Sequence, residues 1–590
     1  MRRCGRTGST RRTLQQKPFS SLLPSRRPSP RRAHNAVPLA HTASSGPSPP
    51  SQKDDTPRKP RVVVVGGGWA GFGSAHALQQ AGADVVVLDA APSPGGLASS
   101  WKSSGGRTVE PGIKGFWYQY ANIVSLVDSL GIRDAFTPFT QSSFYSPAGL
   151  QVRSPIFQDQ PRLPTPLGSF LYTAPFFTQL PLPDRLSALP LVGPLLEYDT
   201  DQDAYDAYDK ISAWELFRSA GVSRRLYDKF LEPMLLVTLF APGHKLSAAA
   251  ALDALYYFAL AHQPDFDTRW CRGSVSERIL VPFAERLRSR GVALLGGRRV
   301  LELREPPDVR AGRQGRLLVS TPGGGTEEWA ADAFVLAVGV GAAQHIVAAS
   351  RPLASSPFFS AFSNLATTDA AAVRLWLDRR LRPATPSNVL VGFDPGVGST
   401  LFHLSELQDE YRTDPGVSVV EADFYHAASL LPLSDDELTA KVVERMLPAV
   451  DPSIGRPHVI DRSVVRCRGA VSLFSPGCAS YMPTVRTPYN GIFMAGDWVR
   501  QGPGTHGAKG LCQEKAYVTG LQAGNLAAEA VGLRPHAVVL SSEADETHIA
   551  AGKEAARQLR ATAREAAGRL GLGRLPGLPG GPLGGFTLMR

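Results

Sequence analysis

The stretch that most constrains this chain is residues 61–89, where a strand-like run, RVVVV, feeds Gly66-x-Gly68-x-x-Gly71 and a second apolar run, DVVVL, ends at Asp89. Glycine permits the tight turn after the first strand and lets backbone approach a pyrophosphate at a helix N-terminus. Asp89 stands 23 residues past Gly66, where a carboxylate can accept a hydrogen bond from a ribose 2′-OH. A glycine-rich turn with no ligand would not require strand, helix and acid to fall together in this way. The pattern predicts a βαβ dinucleotide-binding unit, with Trp69, Ala70 and Ala90 beside the nucleotide.

At 590 residues the chain exceeds one ordinary domain, and two or three cores are expected. Its charge is unevenly placed: residues 1–60 hold 13 Lys and Arg against 2 Asp and Glu, while the remainder balances at 50 of each. A neutral remainder has no electrostatic footprint for nucleic acid. The basic segment has no acidic residue before Asp54, ten prolines and no apolar signal-peptide core, so it reads as an organelle transit peptide, plastid rather than mitochondrial because proline opposes a long amphipathic helix. The five cysteines form no CxxC pair and no metal-ligand set, so no metal is expected. No uncharged apolar run reaches the roughly 20 residues of a membrane span, and the expectation is a soluble protein or one attached to a single membrane face.

Further along, the turn Pro92-Ser-Pro-Gly95-Gly96 lets backbone pack against cofactor phosphate or ribose. Residues 155–197 are apolar and proline-punctuated, as an entrance for an apolar substrate, a membrane-dipping segment or plain cap-domain core would be. The acidic stretch Asp199, Asp201, Asp203, Asp206, Asp209 lacks the glycine and closing glutamate of a calcium loop and reads as a solvated loop. Gly339-x-Gly341-x-x-Gln344 lacks the third glycine and an acidic partner, so one dinucleotide is expected. Near the end, the run GIFMAGD predicts a buried strand closing at Gly496 and Asp497, followed by a helix over 511–532. A carboxylate there can fix a ribityl hydroxyl, and the helix N-terminus can stabilise a reduced, anionic flavin. A helical segment over 542–570 and a Gly/Pro-rich tail follow, with no function assigned.

These pieces, in the order VVVVGGGWAGFGSAHAL, the pair Gly95 and Gly96, EPGIKGFWYQYANIVSLVDSLGI, SVSERILVPFAERLRSRG, VRLWLDRRL and GIFMAGDWVRQ, resemble the flavin-dependent amine-oxidase-like superfamily, and within it the plant-type phytoene and ζ-carotene desaturases. The likeness spans nearly all of residues 61–533. It implies an α/β (α+β) fold: a Rossmann-like FAD-binding domain from residues 61–155, 272–345 and 488–535, with a substrate-binding cap inserted as 156–271 and 346–487, and a tail over 536–590. It implies non-covalent FAD, with the backbone of Glu514, Lys515 and Ala516 against the isoalloxazine ring and Val300 near adenine. Three positions depart from the pattern, and Gly502 to Gly510 reads as an inserted loop. Leu97 replaces a basic residue after the glycine pair, Lys114 replaces a histidine, and Lys515 replaces a glycine beside the flavin.

The expected reaction is desaturation of a carotenoid or similar long isoprenoid, by hydride loss to flavin and loss of a neighbouring proton. Quinone or oxygen is the expected electron acceptor, and contact with a membrane face is expected. Carotenoid isomerisation, plastid amine oxidation and a non-catalytic FAD-binding scaffold are the alternatives. Against amine oxidation, the chain has no lysine between Lys245 and Lys441. His506 and Lys114 are the candidates for proton transfer or for holding a polar group.

Overall fold

Two large sheets organise the chain, and each follows from its own burial pattern. The structure, a computed structural model, describes residues 58–103, 105–177, 179–412, 416–501 and 509–569. The expected leader up to Pro57 and the candidate His506 therefore lie outside the described residues.

The first sheet is five-stranded and parallel, in the order Ile492–Met494, Ala333–Leu336, Arg61–Val65, Asp84–Leu88, Ala293–Leu295. Its strands are almost continuously apolar because helices cover both faces of a parallel sheet. Val62, Val63 and Val64 are fully buried. Helix Trp69–Gln80 leaves the first strand, and helix Gln513–Ala530 leaves the edge strand; the two pack on each other along glycines. A Cβ at Gly520 would stand 2.2 Å from the Ala70 carbonyl oxygen, and one at Gly524 2.6 Å from that of Ser74. The Ser74 hydroxyl, at this crossing, donates to the Ala70 and Gly520 carbonyls.

The second sheet has seven strands, in the order Val459–Leu473, Ala366–Leu377, Ser418–Tyr425, Val397–His403, Ser387–Asp394, Ser142–Ser146, Gly149–Arg153. All its pairings are antiparallel except Ser387–Asp394 with Ser142–Ser146. This corrects the sequence boundary at 155: residues 142–153 are strands of the inserted sheet and pair with Asn388 and its neighbours. Alternation along Ser418–Tyr425 sends Val420, Ala422 and Phe424 into a core with Leu438, Val442 and Met446, and turns Glu421 and Asp423 to the other face.

The acidic stretch is not a solvated loop. Asp201 caps helix Gln202–Asp209 by accepting the Ala204 N–H at 2.8 Å, and Asp201 and Asp203 each lie 3.1 Å from Arg564. Arg564 belongs to helix Thr547–Arg569, which also pairs Arg560 with the buried Glu197 at 2.5 Å. Opposite charges 363 residues apart in sequence neutralise each other, which local spacing cannot reveal.

Candidate functional site

The turn after the first strand has the shape its glycines require. Gly66 sits at φ +101°, where L side chains are strained, and a Cβ there would meet the Ala337 carbonyl oxygen at 2.3 Å. A Cβ at Gly71 would stand 1.8 Å from the Gly66 carbonyl oxygen. Gly68 differs. Its backbone is extended, it caps helix Trp69–Gln80 with no side-chain hydrogen bond, and the nearest atom to a Cβ there is the Gly96 Cα at 3.7 Å. Gly68 and Gly96 thus form the two walls of a cradle at an open helix N-terminus, which suits a pyrophosphate. Asp89 accepts the Gly67 N–H at 2.6 Å and the Ala91 N–H at 2.7 Å, one on each oxygen. Each oxygen keeps a lone pair for a ribose hydroxyl. These residues fit a flavin dinucleotide without rearrangement.

The other sequence candidates divide into two groups. Gly95 lies buried at the start of the turn, while Ala90 and Leu97 are exposed beside it. Val300 is buried in a separate three-stranded sheet and pairs with Val319. Trp69 joins the turn to the closing helix, its indole N–H donating to Gln513 Oε1 at 2.9 Å.

At that helix, Thr519 holds both ends of Gly496: its hydroxyl oxygen accepts the Gly496 N–H at 3.0 Å, and the hydroxyl lies 3.0 Å from the Gly496 carbonyl. This fixes Asp497 at the strand end, where burial pushes its carboxyl up to about 6. Cys512 caps the helix, its sulfur accepting the Lys515 N–H at 3.3 Å, and Ala516 packs against the core in the first turn. The Glu514 side chain turns away from this site. Its carboxylate caps helix Ala121–Ser129 by accepting the N–H groups of Asn122 at 2.7 Å and Ile123 at 3.0 Å, and burial pushes it up to about 7. Only the backbone of Glu514 is left to serve a cofactor.

Lys114 is placed elsewhere. Its ammonium donates to the Pro111 and Gly112 carbonyls at 2.8 and 2.6 Å, within the EPGIKGF segment that carried part of the resemblance. That loop is seated on a buried charge cluster. Asp423 accepts the Ile113 N–H at 2.8 Å, and Arg374 pairs with Glu421 and, at 3.5 Å, with Glu110. Burial, and then Glu421 beside it, push the Asp423 carboxyl well up. One residue beyond Lys114, the Gly115 carbonyl accepts from Gln513 Nε2 at 3.2 Å, which ties the loop to the closing helix.

Sequence reasoning missed Thr519, Gln513 and this cluster. Gly520 and Gly524 at helical spacing were the available signal for the helix crossing. Arg374 and Glu421 meet only through strand register and gave none.

Residues 70–523 match the family model described as flavin containing amine oxidoreductase. The chain belongs to that family. It is an FAD-dependent oxidoreductase. It is 27% identical over 453 residues to 15-cis-phytoene desaturase, chloroplastic/chromoplastic, of Capsicum annuum, covering 75% of each chain. To ζ-carotene desaturase of Synechocystis sp. it is 25% identical over 464 residues, covering 75% of this chain and 93% of the relative. Among solved structures, cyclohexylamine oxidase from Brevibacterium oxydans shares the fold, with a TM-score of 0.58 at 16% identity over 80% of this chain and 99% of the other.

Proposed function

We propose that this flavoprotein desaturates a carotenoid or a comparable long apolar isoprenoid in a plastid, drawing its substrate from a membrane face. The observation that carries the reading is an exposed apolar surface on the inserted part. Leu167, Leu171, Leu182, Leu186, Leu189 and Val192 are each at least 40% exposed on short consecutive helices, and an open cavity of about 380 Å³ adjoins them, lined by Leu171, Pro175 and Phe176 on one side and by the polar Gln141, Asp159 and Gln160 on the other. Large contiguous apolar patches mark interaction sites, and an apolar substrate favours a lipid-facing entrance. Among the described residues no helix is long and apolar enough to cross a membrane, so the reading is of contact with one face. Similarity to phytoene and ζ-carotene desaturases supports the substrate class, and the chloroplastic relatives support the compartment.

In this reading FAD supplies a hydride acceptor. Gly68 and Gly96 would admit its pyrophosphate, Asp89 and Asp497 would hold hydroxyls, and the N-terminus of helix Gln513–Ala530 would offer its positive dipole end to the reduced ring. Burial pushes the Cys512 thiol up to about 12, so it is protonated and a poor nucleophile, in keeping with non-covalent binding. A quinone or oxygen is the acceptor that reoxidises the cofactor.

The test is anaerobic mixing of the FAD-loaded protein with liposomes containing phytoene or ζ-carotene. Loss of oxidised-flavin absorbance with a more conjugated product is the expected result. Bleaching by polyamines alone, or a product with unchanged hydrogen content, overturns the desaturase reading. Replacing Leu182 and Leu189, 56% and 57% exposed, by glutamate removes two membrane-facing side chains. Each is worth about 1.5–3 kcal/mol when buried, so liposome co-sedimentation falls by about tenfold or more. Unchanged sedimentation would show that lipid contact lies elsewhere.

A further inference from the structure

Lys515 is a buried lysine whose side chain the reading above leaves without a task. It stands in the first turn of helix Gln513–Ala530 and is only 6% exposed. Among the described residues its ammonium has neither a hydrogen-bond acceptor nor an ion-pair partner within contact distance, and lies 5.5 Å from the Phe474 ring centroid. A cation held in such surroundings is best stabilised by an anion brought to it, and the described residues place none in contact with it.

The backbone dictates where the cation points. Lys515 and Thr519 are four residues apart and share a helix face. Thr519 on that face clamps Gly496, and so the face meets the strand end that carries Asp497. The electrostatics agree. Burial lowers the Lys515 pKa, and Asp497 is the foremost group opposing that, ahead of Asp253 and Cys512. Lys515 is in turn the foremost group opposing the rise at Asp497. Lys515 thus stands in the first turn of the closing helix, on the face that meets the strand end carrying Asp497, with Phe474 beside its ammonium.

We infer that Lys515 is an electrostatic positioning residue for FAD, whose ammonium offsets the negative charge that reduction adds and so sets how readily the bound cofactor is reduced. The inference rests on the proposed flavin site. Hydride transfer from substrate delivers two electrons and one proton and thus adds one negative charge at the cofactor. A fixed cation in a dry site favours that form without favouring the oxidised one to the same degree.

The experiment is equilibrium titration of the FAD-loaded protein against a reference dye, with no substrate present. Lys515→Met is expected to shift the reduction equilibrium against the reduced cofactor by at least tenfold, about 30 mV for a two-electron couple. Affinity for oxidised FAD should change far less, and Lys515→Arg should stay near the parent. If the methionine variant does not fold, Lys515→Gln carries the same expectation. A neutral variant with the parent's potential overturns the inference. A protein that retains FAD equally well with the Gly68 cradle filled instead overturns the site on which the inference rests, so the two failures are distinguishable.

Discussion

Gly68→Val gives a folded protein that no longer retains FAD. The backbone at Gly68 is extended, with φ −89° and ψ −167°, a conformation that valine adopts freely. Its Cβ meets no atom closer than the Gly96 Cα at 3.7 Å, so the polypeptide accommodates it. The branch methyls then occupy the cradle between the two glycines and cover the helix N–H groups that a pyrophosphate needs. Affinity is expected to fall at least about a hundredfold, roughly 3 kcal/mol, with the melting temperature of the FAD-free protein little changed. Gly71→Ala is the contrasting control. Its Cβ would stand 1.8 Å from the Gly66 carbonyl oxygen, so FAD loss there comes with a damaged fold. Full FAD occupancy in the valine variant would remove the pyrophosphate from this cradle.

Arg374→Met should give the largest loss of stability. Arg374 is 1% exposed in the middle of strand Ala366–Leu377, paired with Glu421 and bonded to the Thr108 carbonyl at 3.0 Å and the Tyr411 hydroxyl at 3.2 Å. Glu110 lies 3.5 Å away on the other side. This guanidinium pairs with two buried acids, Glu421 and Glu110; burial pushes the Glu110 carboxyl up, and Arg374 is the foremost group opposing that rise. Deleting it leaves them uncompensated, at a cost of about 3–5 kcal/mol. Urea denaturation should show the midpoint falling with the slope preserved, and Arg374→Met combined with Glu421→Met should recover part of the loss. A loss below about 1 kcal/mol would mean that solvent or a moving side chain compensates the acids.

What the sequence revealed follows from how local each feature is. The Gly66-x-Gly68-x-x-Gly71 turn and Asp89 were legible because strand, turn, helix and acid lie within one short stretch, and positive φ at Gly66 admits few residue types. Asp497 was legible for the same reason, as a strand end followed by a helix. The Arg374 cluster was not, because its members come from three segments that only register and a loop bring together. Nor was the docking of helix Thr547–Arg569, whose arginines find acids at Glu197, Asp201 and Asp203. Glu514 illustrates a subtler gap. Its position by the flavin was expected from resemblance, yet its carboxylate serves Asn122 and Ile123, since a helix N-terminus ending in tyrosine lacks a cap of its own.

The helix crossing at Ser74 and Gly520 also governs how this protein is made. The two residues are 446 positions apart, yet they touch beneath the cradle. At ribosomal rates of about 5–20 residues per second, the glycine turn waits roughly 20 to 90 seconds for the helix that buttresses it. Throughout that interval Val62, Val63 and Val64 lack the edge of their sheet, and the nascent chain offers chaperones an apolar face. A cofactor bound at the proposed cradle would therefore be captured late in biosynthesis, once the closing helix has emerged.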